Sequence, residues 1–307
     1  VFAYIIRRIL SIIPTLLLVA TLVFVLLRLA PGGPYDSERA LPPEVMKNIL
    51  KQHKLDDPLW VQYKDWLVRL LTEGSLGFST KYPNRTVEEL IGMTLPVSMQ
   101  LGVMAMLTAL AMGVPLGIIG AVRQNTWKDS LAMGASMLGI SIPRFVLAPL
   151  LVLVLSLKLY LLPVARWETW RHAVLPVFCA ALPMAAYLAR LTRAGMLEVI
   201  RSDFVRTARA KGLSERVVVL RHSLKGGMLP VVSFLGPGFA GMLVGSLVIE
   251  KIFDIPGMGR YLVEAVLNKD YNLVSGVALV YGTLLMVSNA LVDIAYRFLD
   301  PRVEIDK

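Results

Sequence analysis

Apolar residues gather into six long runs along the chain, at 9–29, 95–121, 131–157, 173–189, 228–249 and 272–293. Each is near the roughly 20 residues that a helix needs to cross a ~30 Å hydrocarbon core. None alternates polar and apolar positions over about ten residues, as a β-barrel span would. The pattern predicts an all-α membrane protein with six transmembrane helices. Arg7 and Arg8 precede the first run, which is longer than the roughly 7–15 apolar residues of a secretory signal and is followed by five more spans, so it reads as an anchor. It breaks at Pro31-Gly32-Gly33-Pro34. No charged residue falls between Leu90 and Val122, whereas the third run carries one charge, Arg144.

A polar insertion separates the first two runs and divides the chain into an N-terminal span (1–30), the insertion (31–94) and a five-span core (95–307). Pro42-Pro43-Glu44 opens a predicted helix to about residue 55. After Pro58, the helical spacing of Leu59, Tyr63, Trp66, Leu67 and Leu70 predicts a second, and 74–84 reads as loop. Two short amphipathic helices bury little core alone, so they are expected to pack on the membrane domain or on a partner, with their aromatics in that packing.

Composition sharpens the class. Hydrophobic residues make up 56% and charged residues 18% of the 307, against roughly 45–50% and 25% in soluble domains. The mean hydropathy is +0.63. A formal net charge of +10 would suggest nucleic acid in a soluble protein. In a membrane protein it reflects loops rich in Lys and Arg on the cytoplasmic side, and no nucleic-acid-binding motif accompanies it. With the N-terminus inside, the inner segments hold sixteen basic residues and the two short outer loops six. Both termini are therefore expected in the cytoplasm and the insertion outside. Cys179 is the only cysteine, which excludes an intrachain disulfide. His53, His172 and His222 are far apart in sequence and show no metal-ligand spacing.

The segment 190–228 holds nine basic and three acidic residues without being a plain charge run. Ser202 or Asp203 suits a helix N-cap. Phe204 to Lys211 then gives about two turns, and Gly212 supplies a stop, since glycine adopts the left-handed conformation cheaply. Ser214 suits the cap of a following helix. Phe204, Thr207, Ala208 and Lys211 are expected on one face. That face suits a groove on another protein, or anionic lipid head groups, and periodicity does not choose between them.

The run Asp203-Phe204-Val205-Arg206-Thr207-Ala208-Arg209-Ala210-Lys211-Gly212, with Leu229-Pro230 downstream, resembles the EAA loop of binding-protein-dependent ABC importer permeases. Its Thr-Ala-x-Ala-Lys-Gly form with Arg221-His222 resembles the peptide-transporter branch. Arg28-Leu29-Ala30-Pro31-Gly32, Leu41-Pro42-Pro43-Glu44, Val248-Ile249-Glu250 with Ile252-Phe253 and Pro256-Gly257-Met258-Gly259, Asp293 and Asp300-Pro301-Arg302 extend the likeness along the whole chain, most like the B-type subunit of oligopeptide permeases. The resemblance implies a type I importer permease fold in a bacterial inner membrane. It also implies a second permease subunit, two ATPase subunits that bind the ATP, a periplasmic binding protein and a peptide substrate. It assigns Asp203, Phe204, Arg206, Thr207, Ala208, Ala210, Lys211 and Gly212 to ATPase coupling within a cytoplasmic loop at 196–228. The chain has no GxxxxGK phosphate loop, and no catalytic residue, cofactor site or metal site is expected in it.

Arg144 departs from the family pattern, which has a small or amide residue after Ser141-Ile142-Pro143. It is a candidate for the translocation path, meeting a peptide carboxylate. The alternative is a charge nearer the cytoplasmic end that snorkels to the interface. Glycines at 102, 113, 117, 236, 238, 241 and 245 suit close helix packing. Glu250 and Asp254 read as solvated interface charges, with a docking contact to a binding protein as the alternative. Dipeptides, glutathione or nickel complexes are other substrates for the same architecture. An autonomous secondary transporter is the rival of a different class, and the buried carboxylate cluster that would favour it is not apparent.

Overall fold

In hydrocarbon every backbone N–H and C=O must be satisfied within its own segment, so long runs of Leu, Val, Ala and Met become helices. The computed structural model describes residues 2–30, 33, 44, 47, 51, 54–82 and 84–299. Most of the expected helix between Pro42 and residue 55 lies outside the described residues. The helices are α1 (Phe2–Leu29), α2 (Leu59–Thr72), α3 (Val87–Val122), α4 (Trp127–Ser141), α5 (Arg144–Leu151, continued as a π-helical Val152–Lys158) and α6 (Trp170–Ile200). There follow α7 (Asp203–Ala210), α8 (Glu215–Val217, a π-helical Val218–Ser223 and Leu224–Gly227), α9 (Leu229–Ile252), α10 (Met258–Leu267) and α11 (Tyr271–Leu299). Among the described residues, five helices are long and apolar enough to cross a membrane, or six if the bent pair α4–α5 is one span.

That pair occupies the third span expected over 131–157, as two helices rather than one. Its two halves are bent by 101°. The ring of Pro143 bars Ile142 from helical backbone, and Ile142 adopts φ −90° and ψ 115°. Other bounds shift outward. α3 begins two turns before the expected 95, where Thr86 accepts from Glu89 N–H and places Glu88 and Glu89 in the first turn. α6 runs on to Ile200, so residues 196–200 of the expected coupling loop belong to a continuous helix.

The centre of the bundle is the α3–α6 contact. Ala105, Ala109, Ala181, Ala185 and Leu188 are buried there. A Cβ on Gly113 would lie 2.4 Å from the Ala185 carbonyl oxygen, and one on Gly117 2.5 Å from that of Ala189. The two backbones therefore touch, which small residues alone permit. Gly241 differs from its expected packing role, because a Cβ there would meet open space.

α2 folds back onto the bundle as expected of a helix too small to hold a core. Trp66 is buried with Ala20 and Phe24 of α1, and Leu279 of α11 packs on them. The Tyr63 hydroxyl lies 2.7 Å from that of Thr21, and Arg28 donates to Gln62 at 2.9 Å. Trp60, by contrast, is exposed.

Candidate functional site

α7 is attached to its own chain by one face and open on the other. Val205 and Ala208 are buried against Val218 of α8, with Val199 of α6 beside them. Phe204 is 56% exposed despite its size, and Asp203, Arg206, Thr207, Ala210 and Lys211 are exposed with it. Ala208 therefore leaves the outward face expected for it and acts as the small residue that lets α7 lie close to α8. The i, i+3 pair Val205/Ala208 makes that inner stripe.

The ends of α7 behave differently from each other. Gly212 has φ +77°, the left-handed stop expected of it. Ser202 occupies the N-cap, but its hydroxyl donates to the Val199 carbonyl at 2.6 Å and no side chain caps the helix. The cap thus ties α7 to the end of α6. Arg209 reaches across to Glu215, Nη2 to Oε1 at 2.8 Å and Nε to Oε2 at 3.1 Å. The same guanidinium holds the Glu215 carboxyl below its ordinary range, a two-point bond of fixed geometry.

Behind α7 the chain is tightly joined. A Cβ on Gly195 of α6 would lie 2.4 Å from the Gly227 carbonyl oxygen of α8, and one on Gly227 would strike Met196. A displacement of α8 therefore has no slack before it meets α6 and the start of α9. α6 is held in turn to α4, where Arg193 pairs with the buried Asp129. Asp129 also accepts from Asn125 N–H at 3.0 Å, which fixes the turn between α3 and α4.

The opposite end of the bundle carries two buried carboxylates that sequence reasoning missed. Glu250, expected at a solvated interface, is fully buried. It accepts from Ser98 Oγ of α3 at 2.8 Å, from Ser246 Oγ at 2.7 Å and from Gly259 N–H at 2.8 Å. Ser98 Oγ in turn accepts from Met258 N–H at 2.8 Å. A negative group thus sits at the N-terminus of α10, and a Cβ on Gly257 would lie 2.4 Å from its Oε2. Asp270 does the same for α11, accepting from Leu273 N–H at 3.1 Å. Its other oxygen takes Thr80 N–H at 3.0 Å and the Ser79 hydroxyl, so it clamps the end of the insertion. An acid just before an apolar run was the available signal for Asp270. For Glu250 no local signal existed, because its donors come from α3 and from the α10 turn.

α10 joins these parts. The Tyr82 hydroxyl donates to Glu264 at 2.6 Å, and Arg260 donates to the same carboxylate at 3.2 Å. Tyr82 and then Arg260 keep the Glu264 carboxyl below its ordinary range. Asp254, solvated as expected, pairs with Arg260 at 2.5 Å.

Arg144 opens α5 directly after Pro143. α4 is 15 residues long, so Arg144 lies about 22 Å along the chain's path from the α7 end. It is half-buried at the bend between α4 and α5. The structure thus brings the residues expected to couple together on α7 and the two positions after it, and leaves Arg144 as a separate feature.

Comparison with known proteins agrees with this architecture. The profile described as "Binding-protein-dependent transport system inner membrane component" matches residues 113–305, and the N-terminal profile of such membrane components matches residues 1–84. The oligopeptide transport system permease protein OppB of Salmonella typhimurium is 45% identical over 302 residues, covering 98% of both chains. The dipeptide transport system permease protein DppB of Bacillus subtilis is 42% identical over 304 residues, covering 99% of this chain and 98% of its own. In fold, the chain is similar to a chain of the MetNI methionine ABC transporter in an inward-facing conformation. The TM-score is 0.57 at 13% identity, over 69% of this chain and 96% of the other. The chain belongs to the binding-protein-dependent transport system inner membrane component family, as a multi-pass ABC transporter permease.

Proposed function

We propose that this chain is one of two permease subunits of an ATP-driven peptide importer. The observation that carries the reading is α7: an eight-residue helix fixed inward by Val205 and Ala208, with a large apolar side chain, Phe204, left outside among charges. An apolar anchor inside a polar rim is the form of a protein-docking surface. One of two ATPase subunits would grip it, so that closure of the ATPase pair on ATP moves α7, and through α8 the paired helices α6 and α9, as a rigid body. ATP would be bound and hydrolysed entirely in those partners, and the chain itself would hold no cofactor.

The α7 end would face the cytoplasm with both termini, and α2, α10 and the 79–82 turn would face outward. There a binding protein would deliver peptide. The naming of the relatives OppB and DppB supports peptides, with oligopeptide the favoured class by the higher identity. Arg144 would line the path and meet the peptide carboxylate, at a depth where an intramembrane cation usually faces a cavity or a partner.

Purification from its native membrane in mild detergent tests the assembly. Two ATPase chains and a second permease are expected in the complex. A lone homo-oligomer with ion-driven uptake would contradict it and favour a secondary transporter.

A further inference from the structure

A groove of about 390 Å³ opens between the α7 end of α3, the start of α4 and α8. Its wall is apolar, with Ile119 and Leu220 exposed and Val219 buried behind them. Its rim is cationic, from Arg123, Lys128 and Arg216. The one acid there, Glu215, is already bound at both oxygens by Arg209. Arg123, Lys128 and Arg216 form no salt bridge among the described residues. The groove therefore presents three positive charges, without an acidic partner among the described residues, over a hydrocarbon wall.

Its position in the bundle says which ligand fits. Met104, Leu107, Ile119 and Val122 are exposed along one side of α3, so the apolar wall continues the outer stripe of a membrane-crossing helix. That stripe ends at Val122, and the cations begin at the next residue, Arg123. Trp127 is 69% exposed at the same level, with Lys128 Nζ 5.6 Å from its ring centroid. An exposed Trp beside Lys at the end of an apolar helix marks the head-group layer of a bilayer. We infer that this groove binds an anionic phospholipid of the leaflet on the α7 side. One acyl chain lies on Ile119 and Leu220, and the phosphate is held by Arg123, Lys128 and Arg216. Basic pockets between membrane helices suit such head groups, and arginine suits phosphate. A lipid there would touch α8, and so would stiffen the segment on which α7 rests. The inference rests on the chain's crossing a membrane and needs neither peptide as cargo nor coupling through α7.

The test uses the intact complex in nanodiscs of phosphatidylcholine with a minor fraction of phosphatidylglycerol, followed by native mass spectrometry of retained lipid. Wild type is expected to retain phosphatidylglycerol in preference to phosphatidylcholine. The variant Arg123→Gln/Lys128→Gln/Arg216→Gln is expected to hold it about tenfold more weakly or worse. Leu220→Trp keeps the charges but fills the groove, and is expected to lose it as well. Lys158→Gln/Arg171→Gln/Lys269→Gln, which removes as much charge elsewhere, is expected to behave as wild type. Equal retention in all four proteins would overturn the inference, as would full retention in Leu220→Trp. Loss of ATPase subunits from the triple variant with lipid retention unchanged would assign the groove to a protein partner and also overturn it. Because lipid is read without transport, these outcomes stand whether or not the complex imports peptides.

Discussion

Arg193 and Asp129 meet through two parallel hydrogen bonds, Nε to Oδ1 and Nη2 to Oδ2, both at 2.8 Å. The pair joins the extension of α6 to the first turn of α4, and Asp129 is 5% exposed. Removing one partner leaves the other charge poorly solvated, a larger loss than the net worth of the pair. Arg193→Ala is expected to destabilise the complex by about 2 kcal/mol, discounted from a fully buried pair because the arginine is partly in solvent. Thermal unfolding in detergent measures it, and Arg193→Lys should recover only part, since lysine lacks the two-point geometry. An unchanged midpoint in Arg193→Ala would remove this pair from the framework.

The two faces of α7 should respond differently to substitution. Ala208→Leu adds volume where α7 meets Val218 and Val199, so a loss of about 1–3 kcal/mol is expected, with α7 displaced. Phe204→Ala removes only an exposed ring and should leave stability within about 0.5 kcal/mol. It should nevertheless lower ATP-driven uptake severalfold. Stability and uptake measured on both variants separate the inward role from the outward one.

Glu250 is the acceptor for four donors at the far end, counting Arg260 N–H at 3.4 Å. Glu250→Ala strands them in the protein and is expected to cost about 3 kcal/mol or more. Ser98→Ala removes one donor to Glu250 and also the acceptor of Met258 N–H, and should cost about 1–3 kcal/mol. Faster amide hydrogen exchange in 258–267 should accompany both. Exchange rates there that match wild type would show that Glu250 does not fix α10.

The Glu264 carboxyl is depressed first by the Tyr82 hydroxyl and then by Arg260. A depressed folded value means the bond stabilises α10 above the ordinary carboxyl value of 4.5, and that this is lost as pH falls through the lower folded value. Protection of 258–267 against hydrogen exchange should therefore persist at pH 5 and fall at more acid pH. In Tyr82→Phe the fall should be smaller and complete at a higher pH, because the folded value is less depressed. Identical acid profiles for the two proteins would contradict the linkage.

The spans and the short helix are legible because their signals are local: apolar runs and the Gly212 stop. What was not legible depended on partners distant in sequence. Phe204, Thr207, Ala208 and Lys211 were expected on one face by spacing, but which side of α7 turns inward is decided by Val218 and Val199, and they select Val205 with Ala208. The run 131–157 reads as one span, whereas its 101° bend places α5 beside α6 and α9. Glu250 reads as a surface acid because its compensating groups lie on α3 and at the start of α10.

The central claim is that the outward face of α7 seats an ATPase. Cysteine substitution with a short thiol cross-linker, applied to the assembled complex, tests it most directly. Cys179 is buried and serves as background. Phe204→Cys is expected to link this chain to an ATPase subunit bearing a paired surface cysteine, with a yield that changes on adding ATP. Val205→Cys, one residue away and fully buried, is expected to give no such product. Equal linking at both positions, or linking at Phe204→Cys only to lipid-borne probes, would contradict the assignment of α7 to the ATPase.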